Sequence, residues 1–240
     1  ATFPLGFDGF YCMKYEATTG VFLEFINSLS YDQQASHLTE WGTSNLPNVS
    51  GAYFDRPNEY THWTRVSTVG TYNTVSAVFI NNYPWATQGY MSWRQTAAFL
   101  DWSGLRPMTE FEFEKACRGP LTTVANEYPW GSTVVTLNNV TCQDWTNPNS
   151  AYTIVDGPLF YCCWNGISQR PGAFAKSTTN RVQAGATYYG ILDMAGNLFE
   201  QCVGGAGFDY SGFTTANGDG VLSAIGSANT VGWPTNGGTN

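Results

Sequence analysis

Two carboxylates, Asp193 and Glu200, flank Gly196 in the stretch Asp193-Met-Ala-Gly-Asn-Leu-Phe-Glu200. Acids at the ends of a glycine-centred turn can supply hard oxygens to a cation, or they can cap the turn and accept from buried backbone N–H groups. On either reading the turn is a structural or ion-holding feature rather than a catalytic one. Sulfur is the other candidate chemistry. Cys12, Cys117, Cys142, Cys162, Cys163 and Cys202 include no C-x-x-C pair, and the histidines are His37 and His62 alone, so zinc-ligand spacing is absent. A bond between adjacent Cys162 and Cys163 would be strained, so at least one is expected to pair elsewhere.

Arg106 with Glu110, Glu112 and Glu114 resembles a catalytic carboxylate cluster at first sight. The acids fall in the first turn of a capped helix, where they favour the positive end of the helix dipole, and the structural reading prevails. Trp41, Tyr53, Tyr60, Trp63 and Tyr72 lie in a long loop-like region and could form a glycan- or protein-binding face, since exposed aromatics anchor such contacts. Ordinary packing beneath loops accounts for most of them.

The bulk composition narrows the function classes. Of 240 residues only 12% are charged, while 16% are aromatic, which describes a folded, loop-rich chain. Its net charge of -8 and lack of a basic run disfavour nucleic acid, which is bound through clustered Lys and Arg. No segment reaches ~18 consecutive apolar residues, so no membrane span is expected. The opening ATFPLGFDGF has neither the basic region nor the apolar run of a signal peptide. Cysteine content with abundant Asn, Thr, Gly and Tyr points to an extracellular or cell-surface location with some disulfides, buried free thiols being the alternative.

The elements that must position these groups are legible in part. Phe10 to Glu16 alternates like a strand, and Thr18 offers an N-cap for a helix whose apolar face is Phe22, Phe25, Ile26 and Leu29. From about Tyr31 to Tyr90 the pattern predicts long loops with short strands such as Ala77 to Ile80. Ser92-Trp-Arg-Gln95 and Thr109-Glu-Phe-Glu112 are capping boxes, the second braced by Met108 and Phe113 as a hydrophobic staple. Gly104 and Gly119 supply the stops.

In this order the motifs resemble the formylglycine-generating enzyme family, in its sulfatase-modifying domain. The matching stretches are FYCMKYEATTGVFLEFIN, YMSWRQTAAFLDWSGLRPMTEFEFEKACRG, YPWG and YYGILDMAGNLFE. The resemblance implies an α+β, C-type-lectin-like fold, loop-rich, with short twisted antiparallel sheets and two or three helices, as one domain over residues 1–240. It also implies a calcium site built from a side-chain oxygen of Asp193, the carbonyls of Gly196 and Leu198, and Glu200. Cys117, in KACRG, matches one half of a family disulfide whose partner lies in a part not matched here. Cys202 is a candidate substitute, and Cys142, Cys162 and Cys163 are further disulfide candidates.

Members of that family that oxidise a substrate cysteine to formylglycine look like copper enzymes with a reactive cysteine pair in the C-terminal part of the domain. No segment of residues 1–240 matches that part, so the domain is expected to lack it, and copper is not expected. The resulting expectation is a non-catalytic extracellular module of a larger cell-surface assembly, structural or adhesive. Its partners would be protein, glycan or other subunits of its own assembly. The alternative is a formylglycine-generating-type copper oxidase acting on a cysteine or small thiol.

Overall fold

The computed structural model describes residues 9–38, 63–65, 76, 78–81, 84–89, 91–134, 170–204, 217–231 and 233. Helix α1, Thr19–Ser28, starts where the Thr18 hydroxyl accepts from the Val21 N–H. Its 3.6-residue periodicity puts Phe22, Phe25 and Ile26 fully inside, with Leu23 and Leu29 nearly so. Helix α2, Tyr31–Leu38, follows at once, in a region the sequence pattern assigns to loops. The signal for it is a third box: Gln33 N–H donates to the Ser30 hydroxyl and the Gln33 side chain accepts from Ser30 N–H.

Helices α3, Trp93–Trp102, and α4, Glu110–Arg118, begin at Ser92 and Thr109, with both reciprocal bonds of each capping box in place. Gly119 closes α4 at φ 72°, and a Cβ there would meet the Tyr188 side chain at 2.6 Å. Only glycine satisfies both the dihedral and the approach. A last short helix, α5, Arg181–Ala184, is boxed by Asn180 and Gln183. Strand is scarce among the described residues: β1, Trp63–Arg65, pairs antiparallel with β2, Phe79–Asn81, in the register Thr64↔Ile80. Trp63 therefore lies in a strand rather than a loop. Of the other aromatic candidates, Trp41, Tyr53, Tyr60 and Tyr72 lie outside the described residues, as do Cys142, Cys162 and Cys163.

The core forms where α1 crosses α3 and β2. Phe22, Phe25, Phe79, Ala98 and Phe99 are all essentially solvent-free. Ring pairs Phe22–Phe99 and Phe25–Trp102, each at 5.6 Å, and Phe25–Phe99 at 6.0 Å are tilted or edge-on. Full burial of one such ring is worth roughly 2–3 kcal/mol. Asn27 fastens β2 to α1 by donating to Phe79 O at 2.9 Å and accepting from Phe79 N–H at 2.8 Å.

The stretch from Phe10 to Glu16 is not a strand but an irregular, bent run, correcting the alternation-based expectation. Its alternation reflects contacts of a different kind: Phe10 packs beside Ala116, Cys117 and Met194, and Lys14 O accepts from Leu192 N–H at 3.0 Å. The segment 217–231 is held by Asp101, whose Oδ1 accepts from the N–H groups of Gly218, Asp219 and Gly220 and whose Oδ2 accepts from Asn229 N–H.

Candidate functional site

The stretch from Asp193 to Glu200 is pinned at several points, and the pins explain its shape. Ahead of it, Thr187 receives Ile191 N–H on its hydroxyl and Gly190 N–H on its carbonyl, reversing the chain. Asp193 Oδ2 accepts from Gly172 N–H at 2.5 Å, and Met194 inserts against Ala116 and Cys117 of α4. After the turn, Gln201 donates to Met91 O. Val203 then bridges Thr109 in parallel: Val203 N–H donates to Met108 O at 2.8 Å and Glu110 N–H to Val203 O at 3.1 Å. That last bond satisfies a free donor at the start of α4.

Within the turn, Gly196 has φ 98°, and both Asp193 (φ 61°) and Asn197 (φ 58°) sit in the left-handed region. Asp and Asn tolerate that region better than other side chains. Asn197 is buried, and its Nδ2 donates to Thr87 Oγ1 at 2.9 Å and also to Glu16 Oε2. Thr87 Oγ1 donates to the same Glu16 oxygen at 3.3 Å, and Leu198 N–H donates to the Glu16 carboxylate. Glu200 Oε1 is buried without a hydrogen-bond partner among the described residues. Phe199, between them, is almost wholly exposed.

The electrostatics follow from burying three acids near one another. Burial first, then the charges of Asp193 and Glu200, push Glu16 up to about 8, against the pull of hydrogen bonds from Asn197 and Leu198. Glu200 rises to about 7, chiefly through burial, with Asp193 adding to it and its own backbone N–H opposing. Burial also raises Asp193, opposed by Gly172 N–H and the Arg170 charge. Burial and mutual repulsion thus favour the protonated forms of these acids in the ion-free chain.

Glu16 is a residue that sequence reasoning missed. It lies in the first matching motif, two positions before the N-cap Thr18. Neither periodicity nor spacing links it to a turn 181 residues away. Asp193, Gly196, Leu198 and Glu200, in contrast, lie together in one turn.

Three of the six cysteines lie among the described residues. Cys12, Cys117 and Cys202 are free thiols in the structure. Burial, then Glu114, Glu200 and Cys202, push Cys117 up to about 12. Burial, then Glu200, Glu110 and Glu112, push Cys202 up to about 11. Cys12 is raised by burial and by Glu112. A nucleophilic or metal-binding cysteine needs the opposite shift. Among the described residues no three His, Cys, Asp or Glu side chains converge to hold a metal by themselves.

Arg106 and Glu112 form a two-pronged ion pair, Nη1–Oε2 at 2.8 Å and Nη2–Oε1 at 2.7 Å, while Thr109 N–H donates to the same carboxylate. Burial opposes the charge on Glu112, yet these bonds prevail and hold its carboxyl below the ordinary value. This is the structural role the helix-start reading assigns to the acids of α4.

Comparison with known proteins places this arrangement in a family. A family model described as the Sulfatase-modifying factor enzyme 1-like domain matches residues 3–206, and the chain belongs to that FGE-sulfatase family. A formylglycine-generating enzyme from Thermomonospora curvata is 30% identical over 114 residues, 47% of this chain and 31% of the relative. Those from Mus musculus and Bos taurus are 28% and 29% identical over 136 residues, 52% of this chain and 34% of each relative. The chain thus spans about a third of the length of the curated relatives it matches. No solved structure matches.

These relatives overturn the expectation of a non-catalytic extracellular structural or adhesive module. Each bears the name of an enzyme, and none of the findings supports adhesion. The expectation weighed the unmatched cysteine-bearing segment too heavily against motifs that run through most of the chain. The expected lack of a membrane-crossing helix agrees with the structure, where no helix among the described residues is long and apolar enough.

Proposed function

We propose that this chain belongs to an oxidase of the formylglycine-generating type, acting on a cysteine or small thiol. The observation that carries this reading is the family match across residues 3–206, together with three relatives named for that activity. The described residues contribute the scaffold, in a C-type-lectin-like arrangement. Burial raises the thiols of Cys12, Cys117 and Cys202 above the ordinary cysteine value. The test is to express the protein from its complete reading frame, supply copper(I), oxygen and a reducing thiol that gives the two electrons the peptide does not, and follow a cysteine-containing peptide, whose sulfur leaves as sulfide, by mass spectrometry. Conversion of the cysteine to formylglycine is expected. An unchanged peptide would overturn the reading.

The same reading gives the turn a calcium ion, held by Asp193, the carbonyls of Gly196 and Leu198, and Glu200. Support comes from the unpartnered, buried Glu200 Oε1 and from the surplus of buried carboxylate around it. Two carboxylates and two carbonyls suit a hard cation that takes oxygen ligands, whereas the same donors are too hard for copper(I). When bound, the ion would neutralise the acids and tie both ends of the turn together. An extracytoplasmic setting suits it, because calcium sites of extracellular modules work at roughly 0.1–1 mM.

A further inference from the structure

Glu16 has no part in the ligand set, yet the structure spends three hydrogen-bond donors on it. Its place is fixed by the start of α1 lying along residues 86–88: Gln88 N–H donates to Ala17 O and Thr19 N–H to Ala86 O, both at 2.8 Å, with Thr18 bridging Thr87. From there its carboxylate accepts from Thr87 Oγ1, Asn197 Nδ2 and Leu198 N–H. Asn197 is the left-handed residue between Gly196 and Leu198. Two of the three donors, the Asn197 side-chain amide and the Leu198 N–H, therefore come from the stretch that joins the two carbonyl ligands.

The Glu16 carboxyl group accepts from all three donors at once. A glutamine at 16 would offer one accepting oxygen and turn its own N–H groups towards donors. Among the described residues, Glu16, Asp193 and Glu200 do not form a three-carboxylate metal cluster.

We propose that Glu16 is a positioning residue for the cation-binding turn: through Asn197 and Leu198 it holds residues 196–198 in the conformation that a calcium ion requires of their carbonyls. This rests on the calcium reading of the turn. Groups behind metal ligands commonly govern affinity by about 10- to 100-fold when removed.

The test is calorimetric titration of the full chain with calcium chloride after chelation, comparing wild type, Glu16→Gln, Asp193→Asn with Glu200→Gln, and Asp101→Asn. Asp101→Asn weakens the fold far from the turn in the bonding network and reports what general destabilisation does to calcium affinity. Expected are a wild-type affinity, its loss in the double variant, a roughly 10-fold weakening in Glu16→Gln, and no change in Asp101→Asn. Hydrogen exchange in the calcium-free chain adds a second readout, with the Leu198 amide exchanging faster in Glu16→Gln. Equal affinity of wild type and Glu16→Gln overturns the role of Glu16 and leaves the calcium reading standing. Weakening in Asp101→Asn to the same degree as in Glu16→Gln reduces Glu16 to general stability and overturns the proposal. A wild-type chain that binds no calcium overturns both.

Discussion

Asp193 and Asn197 carry most of what is unusual about this chain at the scale of single residues. Each adopts a left-handed backbone without being glycine, at a cost of about 1 kcal/mol apiece. Each is then fixed by its side chain, Asp193 on Gly172 and Asn197 on Thr87 and Glu16. Strain so firmly supported, beside an unpartnered Glu200 oxygen, is the residue-level case for a bound ion. The cysteines carry a prediction at the same scale. With Cys117 at about 12 and Cys202 at about 11, almost no thiolate exists at pH 8. Iodoacetamide at that pH should leave both unmodified in the folded chain and modify both after unfolding without reductant, as read by peptide mass spectrometry. Rapid native labelling would contradict the burial that raises them, and resistance after unfolding would reveal a disulfide instead.

At the scale of elements, helix starts govern the architecture. Ser92 and Thr109 announce α3 and α4 in the sequence because a capping box is local: four consecutive residues contain both halves of the bond pair. The same signal at Ser30 was present for α2 and was masked by a polar helix with no strong apolar stripe, YDQQASHL. The Phe10 to Glu16 segment failed as a strand because alternation fixes which side chains are apolar, not whether another strand lies alongside to pair with. Asp101 was equally invisible, since its partners follow more than a hundred residues later. It nevertheless joins α3 to the 217–231 segment. Replacing it by Ala strands four backbone donors and should cost about 3 kcal/mol or more. That corresponds to a fall of about 10 °C in melting temperature by calorimetry. A change within a degree or two would mean that these bonds are replaced by water without penalty.

For the molecule as a whole, the family was readable from ordered motifs, and the four of them bracket most of residues 3–206. The candidate site was readable only in its contiguous part. Asp193 to Glu200 share one turn, whereas Glu16 and Thr87 reach it through the fold, and no local pattern records that meeting. Function is less legible than family, because the ordered motifs mark the scaffold rather than the chemistry it serves. The resulting picture is a family scaffold in which the start of α1, α4 and the 84–89 stretch converge on the turn from Asp193 to Glu200.

Its most direct test is the melting temperature of the full chain, stripped with chelator and then titrated with calcium at constant pH and ionic strength. A cation that binds only the folded state stabilises it by about 2.7 kcal/mol at a hundred times its dissociation constant. For a chain of this size that is a rise of roughly 5–10 °C, growing with the logarithm of calcium concentration and absent when Asp193 and Glu200 are replaced by Asn and Gln. A midpoint that stays flat from chelator to saturating calcium would contradict the account.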